Sequence, residues 1–311
     1  ENYIFLEMFL DATKANLFFA KGVIFVEGSA ENLLVPAIAE IIERPLDKYG
    51  VSIVNVSSTA FNSYSKIFLR KNKDEIIDIP IAIITDLDIK DNSETKVIKL
   101  TEERIREIED NFQYDKGTFI NLKDNYYLNV DDLKKDIRKI KNLKKLPNGL
   151  GERVEKFSME EINIEKYRDL IRKRKIEDYE NGKIKVFINL CQTLEYDLAI
   201  GELAYYLYNA ILLSKNEEEI SKEKFEEEFG SKSEKEKVEK IFKDNFYTNY
   251  DENKKSKLSK AEVALNLSHL LKENIEETRK ILLRDRYCEY IIKAIEYVTE
   301  PITTKGSNEN D

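Results

Sequence analysis

Four short apolar runs constrain the fold of this chain more than any other feature. They are Val23-Ile24-Phe25-Val26, Val51-Ser52-Ile53-Val54-Asn55-Val56, Ile79-Pro80-Ile81-Ala82-Ile83-Ile84 and Ile184-Lys185-Val186-Phe187-Ile188. A strand with one solvated face alternates apolar and polar residues, whereas a nearly continuous apolar run needs cover on both faces. After the first run Leu33, Leu34, Ala37, Ile38, Ile41 and Ile42 recur at helical spacing, and the stretch 60 to 69 predicts a second helix. Strands of this texture alternating with helices predict an α/β fold with a mostly parallel four-stranded sheet flanked by helices.

The rest of the chain differs in texture. Residues 2 to 20 place Ile4, Leu6, Met8, Phe9, Leu10, Ala15, Leu17 and Phe18 at mostly helical spacing, which predicts a helical arm over 1–20. A domain over 21–200 follows, interrupted at about 91–183 by an insertion with charged helical stretches near 101–113, 131–142 and 160–179. From 201 to 300 the spacing is helical throughout, as in Leu203, Leu207, Ile211, then Val263, Leu267, Leu271, then Ile291 and Ile295, and predicts an α-helical subdomain. Residues 301–311 are polar and predict a disordered tail. Because the text begins at Glu1 in mid-helix, the sequence reads as part of a longer protein.

Composition removes several classes of function. A chain of 311 residues needs no disulfide staples, and its two cysteines, Cys191 and Cys288, are expected to be reduced core residues. No run of about 18 apolar residues is present, and Glu1, Glu7 and Asp11 stand where a signal peptide would be basic. The expectation is a soluble cytoplasmic protein with no membrane contact. The single histidine, His269, lies in an apolar helical context and is expected to be structural. Chemistry must therefore rest on carboxylates, amines, guanidinium groups and hydroxyls.

Three acidic clusters each follow a predicted strand, on the edge where open α/β sheets build their sites. In Glu27-Gly28-Ser29-Ala30-Glu31, Gly28 permits a sharp turn and Glu31 falls one helical turn after Glu27. In Asp86-Leu87-Asp88, alternation along extended chain sends both carboxylates to one side. The third cluster is Thr193-Leu194-Glu195. A lone Asp-x-Asp after a strand is most often a turn or a cap; the recurrence of acids at the ends of three strands points further. Carboxylates crowded at one edge repel each other unless cations lie between them. All-oxygen ligands favour Mg²⁺ or Mn²⁺, and two such ions ~3.5–4 Å apart can clamp the oxygens of a phosphoryl displacement.

A strand ending in Glu-Gly and a distant strand ending in Asp-x-Asp resemble the Toprim domain of topoisomerases, primases and certain nucleases. Within that group, the segments 17–31, Val54-Asn55-Val56, Ile83 to Ile89, Thr193 to Ala199 and Ser259 to Ala264 resemble the C-terminal half of OLD-family (overcoming lysogenization defect, Gabija-like) nucleases. The resemblance implies a Toprim-type fold and a metal-dependent DNA endonuclease, a phosphodiesterase in which Glu27, Glu31, Asp86, Asp88, Thr193 and Glu195 hold two Mg²⁺ or Mn²⁺ ions. It implies that Glu27 and Lys260 are catalytic, Lys260 stabilising charge on the scissile phosphate. It further implies an ATPase domain upstream, the only route by which ATP would act here, since this chain has no Gly-x-x-x-x-Gly-Lys-Ser/Thr loop. Homodimers or higher oligomers through the full-length protein, a helicase-like defence partner and a role in antiphage defence belong to the same implication. Two rivals stay open. One is another Toprim enzyme of topoisomerase or primase type, although none of the 17 tyrosines stands out as a nucleophile. The other is a non-cutting Toprim scaffold that binds nucleic acid or a partner protein.

A formal charge of −9 runs against a DNA partner, so the distribution of charge matters more than its sum. Lys134 to Lys145 holds seven basic residues and one acid, Arg172-Lys173-Arg174-Lys175 is wholly basic, and Arg70-Lys71 with Lys73 adds a third cluster. These are candidate phosphate contacts; solvated helix faces are the plainer reading. Ser57-Ser58-Thr59 is either a loop or a set of phosphate-binding hydroxyls.

Overall fold

The computed structural model describes residues 19–56, 61, 79–89, 95–140, 149–154, 160–246 and 258–299. The arm apart from Phe19 and Ala20, the predicted helix 60–69 apart from Phe61, Ser57-Ser58-Thr59, the basic cluster at 70–73 and the tail lie outside the described residues. The chain divides into two compact units, one within 1–88 and 176–311, the other within 89–175.

In the first unit β1 (Gly22–Val26) leads into α1 (Ser29–Ile41), then β2 (Val51–Asn55) and β3 (Ile81–Thr85). In the second unit come β4 (Lys96–Lys99), α2 (Glu102–Asn111), β5 (Tyr126–Tyr127), α3 (Val130–Arg138), α4 (Leu150–Val154) and β6 (Glu160–Glu161). The unit boundary falls within α5 (Ile164–Tyr179). The first unit resumes with β7 (Ile184–Ile188), α6 (Leu194–Ile200), α7 (Ala204–Ser214), α8 (Lys222–Phe229) and α9 (Glu234–Val238). A single π-turn (Glu239–Lys243) and a short α10 (Asp244–Phe246) follow. The last described elements are α11 (Lys260–Glu273), α12 (Ile275–Arg284) and α13 (Glu289–Thr299).

The four apolar runs form one sheet in the order β2-β1-β3-β7, parallel at every pairing, with Val26 opposite Asn55 and Ile84, and Thr85 opposite Ile188. Alternate side chains of β1 enter different cores, as a two-sided strand requires. Ile24 and Val26 pack with α1, α7, α11 and α13, while Val23 and Phe25 join Val54, Phe61, Ile83 and Val186 on the opposite face. Two long-range cations hold helix C-termini, where carbonyls lack partners. Arg44 donates to the Thr299 carbonyl (2.8 Å), and Arg279 donates to the Ile41 carbonyl (2.6 Å).

The second unit has helices at the three stretches where its sequence predicts them, and adds strands that the sequence does not predict. It contains an antiparallel sheet in the order β5-β4-β6 beside its helices, with its own core of Ile98, Leu100, Ile105, Phe119, Leu133 and Ile137 among others. Strands of two to four residues are too short to register as a periodic pattern. His269 also departs from expectation, since it lies exposed on α11 rather than among that helix's apolar neighbours. Both cysteines are free and buried.

Candidate metal centre

Sheet order decides what stands at the carboxyl edge. With β1, β3 and β7 adjacent and parallel, the residues after Val26, Thr85 and Ile188 leave the sheet side by side. Glu27 follows β1, Asp86 follows β3, and the loop after β7 leads to Glu195.

At the first position Gly28 serves as the N-cap of α1, with Glu31 in the first turn. A Cβ at residue 28 would stand 2.8 Å from Glu31 Oε2, so the absent side chain leaves room for that carboxylate. Glu31 is only 8% exposed. Burial first, then the neighbouring charges of Glu195 and Glu27, push it up to about 7, against the opposing pull of its backbone hydrogen bond and of Lys260. Glu27 accepts a short hydrogen bond from the buried Thr85 hydroxyl at the end of β3, which ties the first acidic position to the second.

At the second position the strand ends at Thr85, and the three residues that follow are held from across the edge. Asp86 Oδ1 accepts from the Leu194 amide (3.0 Å), the Leu87 amide donates to Asn189 Oδ1 (2.6 Å), and the Asp88 amide donates to the Gln192 carbonyl (2.9 Å). Leu87 is buried and Asp88 exposed, so the expected alternation holds, but Asp88 reaches it through a left-handed backbone (φ 62°) rather than extended chain. Aspartate tolerates that conformation better than most residues. Asp86 is raised well above the usual carboxylate range by burial and by repulsion from Glu31, Glu195, Glu27 and Asp88.

At the third position Thr193 caps α6, accepting from the Tyr196 amide (3.4 Å) and donating its own proton to Glu195 Oε2 (3.1 Å). The same Glu195 oxygen receives Lys260 Nζ at 2.7 Å. Lys260 opens α11 behind the Ser259 cap, and its ammonium is held in its charged form by Glu195, Asp86 and Glu31 against partial desolvation, although its side chain stays exposed. The structure thus gathers every predicted site residue of the first unit at one edge.

Two residues that sequence reasoning did not assign hold this edge together. Asp197, with 0% exposure, accepts from the amides of Leu190 (2.6 Å), Cys191 (3.1 Å) and Gln192 (3.3 Å), which folds the loop after β7 around one carboxylate. Asn189 then presents its carbonyl oxygen to Leu87. Asp197 sits in the same short segment as Thr193 and Glu195, yet nothing local distinguishes a loop-building carboxylate from a solvent-facing one.

The donor set is entirely oxygen, the chemistry of Mg²⁺ and Mn²⁺ sites. Burial and mutual repulsion disfavour charge on Glu31 and Asp86, and a cation reverses that balance; the residues present therefore fit a divalent ion. They are not locked in a closed shell, since no group of three or more His, Cys, Asp or Glu side chains among the described residues is arranged to hold a metal. Magnesium commonly keeps several of its waters and needs few direct carboxylates.

The proposed basic grips are partly committed elsewhere within the second unit. Arg172 pairs with Asp169 (3.2 Å) and Arg174 with Asp132 (3.2 Å), while Lys134 and Lys139 pair with Asp131 and Asp136. Residues 141–145 of the other run lie outside the described residues. No helix among the described residues is long and apolar enough to cross a membrane.

Parts of the chain are similar to known proteins. Residues 18–88 match the family described as overcoming lysogenization defect protein-like, TOPRIM domain. Endonuclease GajA of Bacillus cereus (strain HuB5-5) is 33% identical over 96 residues, which span 30% of this chain and 13% of that protein. The C-terminal region of the Xanthomonas campestris pv. campestris OLD protein aligns over 92% of this chain and 95% of its own, at 20% identity and a TM-score of 0.42. For the C-terminal region of the Burkholderia pseudomallei OLD protein the values are 91%, 98%, 22% and 0.39.

Proposed function

This chain carries an OLD-family Toprim domain over residues 18–88, and on that premise we propose that it is a metal-dependent DNA endonuclease, the nuclease half of an ATPase–nuclease used in antiphage defence. The observation that carries the reading is the gathering of Glu27, Glu31, Asp86, Asp88, Thr193 and Glu195 at one sheet edge, with two of the acids raised and Lys260 bonded to a third. Divalent cations bound there would supply charge neutralisation at a phosphodiester and activation of water. The chain's own residues do the remaining work. Glu27, Glu31, Asp86, Asp88, Thr193 and Glu195 provide oxygen ligands, the Asp197 loop fixes the position of Asp86, and Lys260 brings a fixed positive charge to where negative charge develops on phosphate oxygens. Control by ATP through a separate ATPase domain, dimerisation and a helicase-like partner belong to the same proposal.

Two observations favour a second reading, a Toprim scaffold that binds without cutting: Lys260 already neutralises Glu195, and no closed metal shell stands ready among the described residues. Incubation of supercoiled and linear DNA with Mg²⁺ or Mn²⁺ separates the two. We expect nicking or cutting by the parent and a loss of at least about 100-fold in Glu27→Ala, Asp86→Ala and Lys260→Ala, the scale of removing one electrostatic group from such a centre. Variants that all cut like the parent would show that the site is elsewhere. A parent that retains DNA yet cuts with neither ion favours the scaffold.

A further inference from the structure

The N-terminal turn of α13 places an unused hydroxyl beneath the acidic edge. α13 packs along β1, β3 and β7. Its end is fixed at the start of the strands, where a Cβ on Gly22 would meet the Val298 carbonyl at 2.9 Å and Tyr297 donates to the Lys183 carbonyl at 2.7 Å. Stepping back from Val298 to Tyr290 at ~1.5 Å per residue covers roughly 12 Å, comparable with the ~16 Å of a five-residue strand. Tyr290 therefore lies at the carboxyl end of the sheet, on the core side of the acids.

Tyr290 is 8% exposed, and its hydroxyl is buried with no hydrogen-bond partner among the described residues. A buried phenol in that state is uncommon, because such groups are retained when something takes their hydrogen bond. The charges that act on it identify the recipient: after burial, the groups raising its pKa are the carboxylates of Asp86, Asp197 and Glu31, followed by the Cys288 thiol. Of these three carboxylates, Asp86 and Glu31 belong to the acidic edge, while Asp197 builds the loop after β7. Surrounded by acids, the phenol keeps its proton and can act toward them only as a donor.

We propose that Tyr290 is a positioning residue for the metal centre, its O–H donating to the Asp86 carboxylate, or to Glu31 beside it, when a divalent cation occupies the edge. The proposal rests on the metal reading of the site. It assigns Tyr290 the part that outer hydrogen-bond donors play around metal-binding carboxylates, whose removal typically weakens metal affinity by about 10–100-fold.

Calorimetric titration of Mn²⁺ into the parent chain, Tyr290→Phe and Tyr206→Phe tests it, with a thermal melt of each protein free of metal. Tyr206 is the control, because it is also a buried tyrosine but its hydroxyl faces Lys222 and Glu277 rather than the acids of the edge. Tyr290→Phe is expected to melt at or above the parent's temperature yet bind Mn²⁺ about tenfold more weakly, while Tyr206→Phe binds like the parent. Unchanged Mn²⁺ affinity in Tyr290→Phe, or an equal loss in both variants, overturns the role of Tyr290 and leaves the metal reading standing. A parent that takes up no Mn²⁺ overturns both.

Discussion

Glu31 and Asp86 carry opposite consequences for stability and for function. Glu31 moves from the ordinary 4.5 to about 7, burial being the largest cause, so the folded chain holds a proton that the unfolded chain releases between those values. Stability that is complete below about 4.5 is therefore lost as the pH rises through about 7. At ~1.4 kcal/mol per unit the shift corresponds to roughly 3 kcal/mol. Urea melts of the metal-free protein at pH 5 and pH 8 should show the parent weaker at the higher pH, Glu31→Gln much less so, and added Mg²⁺ restoring the parent. A parent whose stability rises across that window would contradict the placement of Glu31 among buried acids. Tyr290, Asn189 and Asp197 contribute to the same cluster from positions where sequence gave no sign of it. Asn189 and Tyr290 act on partners brought near only by the fold, as when Asn189 meets Leu87, 102 positions away, whereas Asp197 gathers amides five to seven positions before it. Lys260 is an intermediate case: it reaches Glu195 across 65 positions, and only the family resemblance singled it out from the other lysines.

Among the elements, the strands and the loop after β7 show what a single sequence can and cannot reveal. β1, β3 and β7 were legible because both of their faces need cover, and the acids after them were legible because carboxyl edges are where such sheets bind ligands. β4, β5 and β6 were not, since two to four residues give no period to read. The loop from Leu190 to Gln192 was hidden for a different reason. Its shape comes from one buried carboxylate, Asp197, that receives three amides. Asp197→Asn replaces an acceptor oxygen with an amide that cannot accept, and should destabilise the fold by about 2–4 kcal/mol, the cost of leaving charge-assisted donors unmet. Chemical denaturation reads that loss directly. A variant as stable as the parent would mean that the loop is held by something other than Asp197.

At the scale of the whole molecule, the charge of −9 and the location of the acids mean that the proposed binding of DNA would depend on cations. The basic runs of the second unit are partly engaged with neighbouring acids, which reduces what they can offer to phosphate. With the edge carboxylates bare, a DNA strand meets negative charge; with divalent ions bound, that charge is largely offset. Affinity for a short duplex, measured by fluorescence anisotropy at fixed ionic strength, should rise at least about tenfold when Ca²⁺ replaces EDTA, a change of ~1.4 kcal/mol. Asp86→Asn should abolish the rise, whereas equal affinity in Ca²⁺ and EDTA would place DNA recognition on another surface. The central claim, that the edge formed by β1, β3 and the start of α6 is a divalent-cation centre, is tested most directly by anomalous diffraction from crystals soaked in Mn²⁺. The account predicts manganese among Glu27, Glu31, Asp86, Asp88 and Glu195, with Lys260 displaced from Glu195 or sharing it. Manganese bound elsewhere, or an edge that holds no manganese at saturating Mn²⁺, would contradict it.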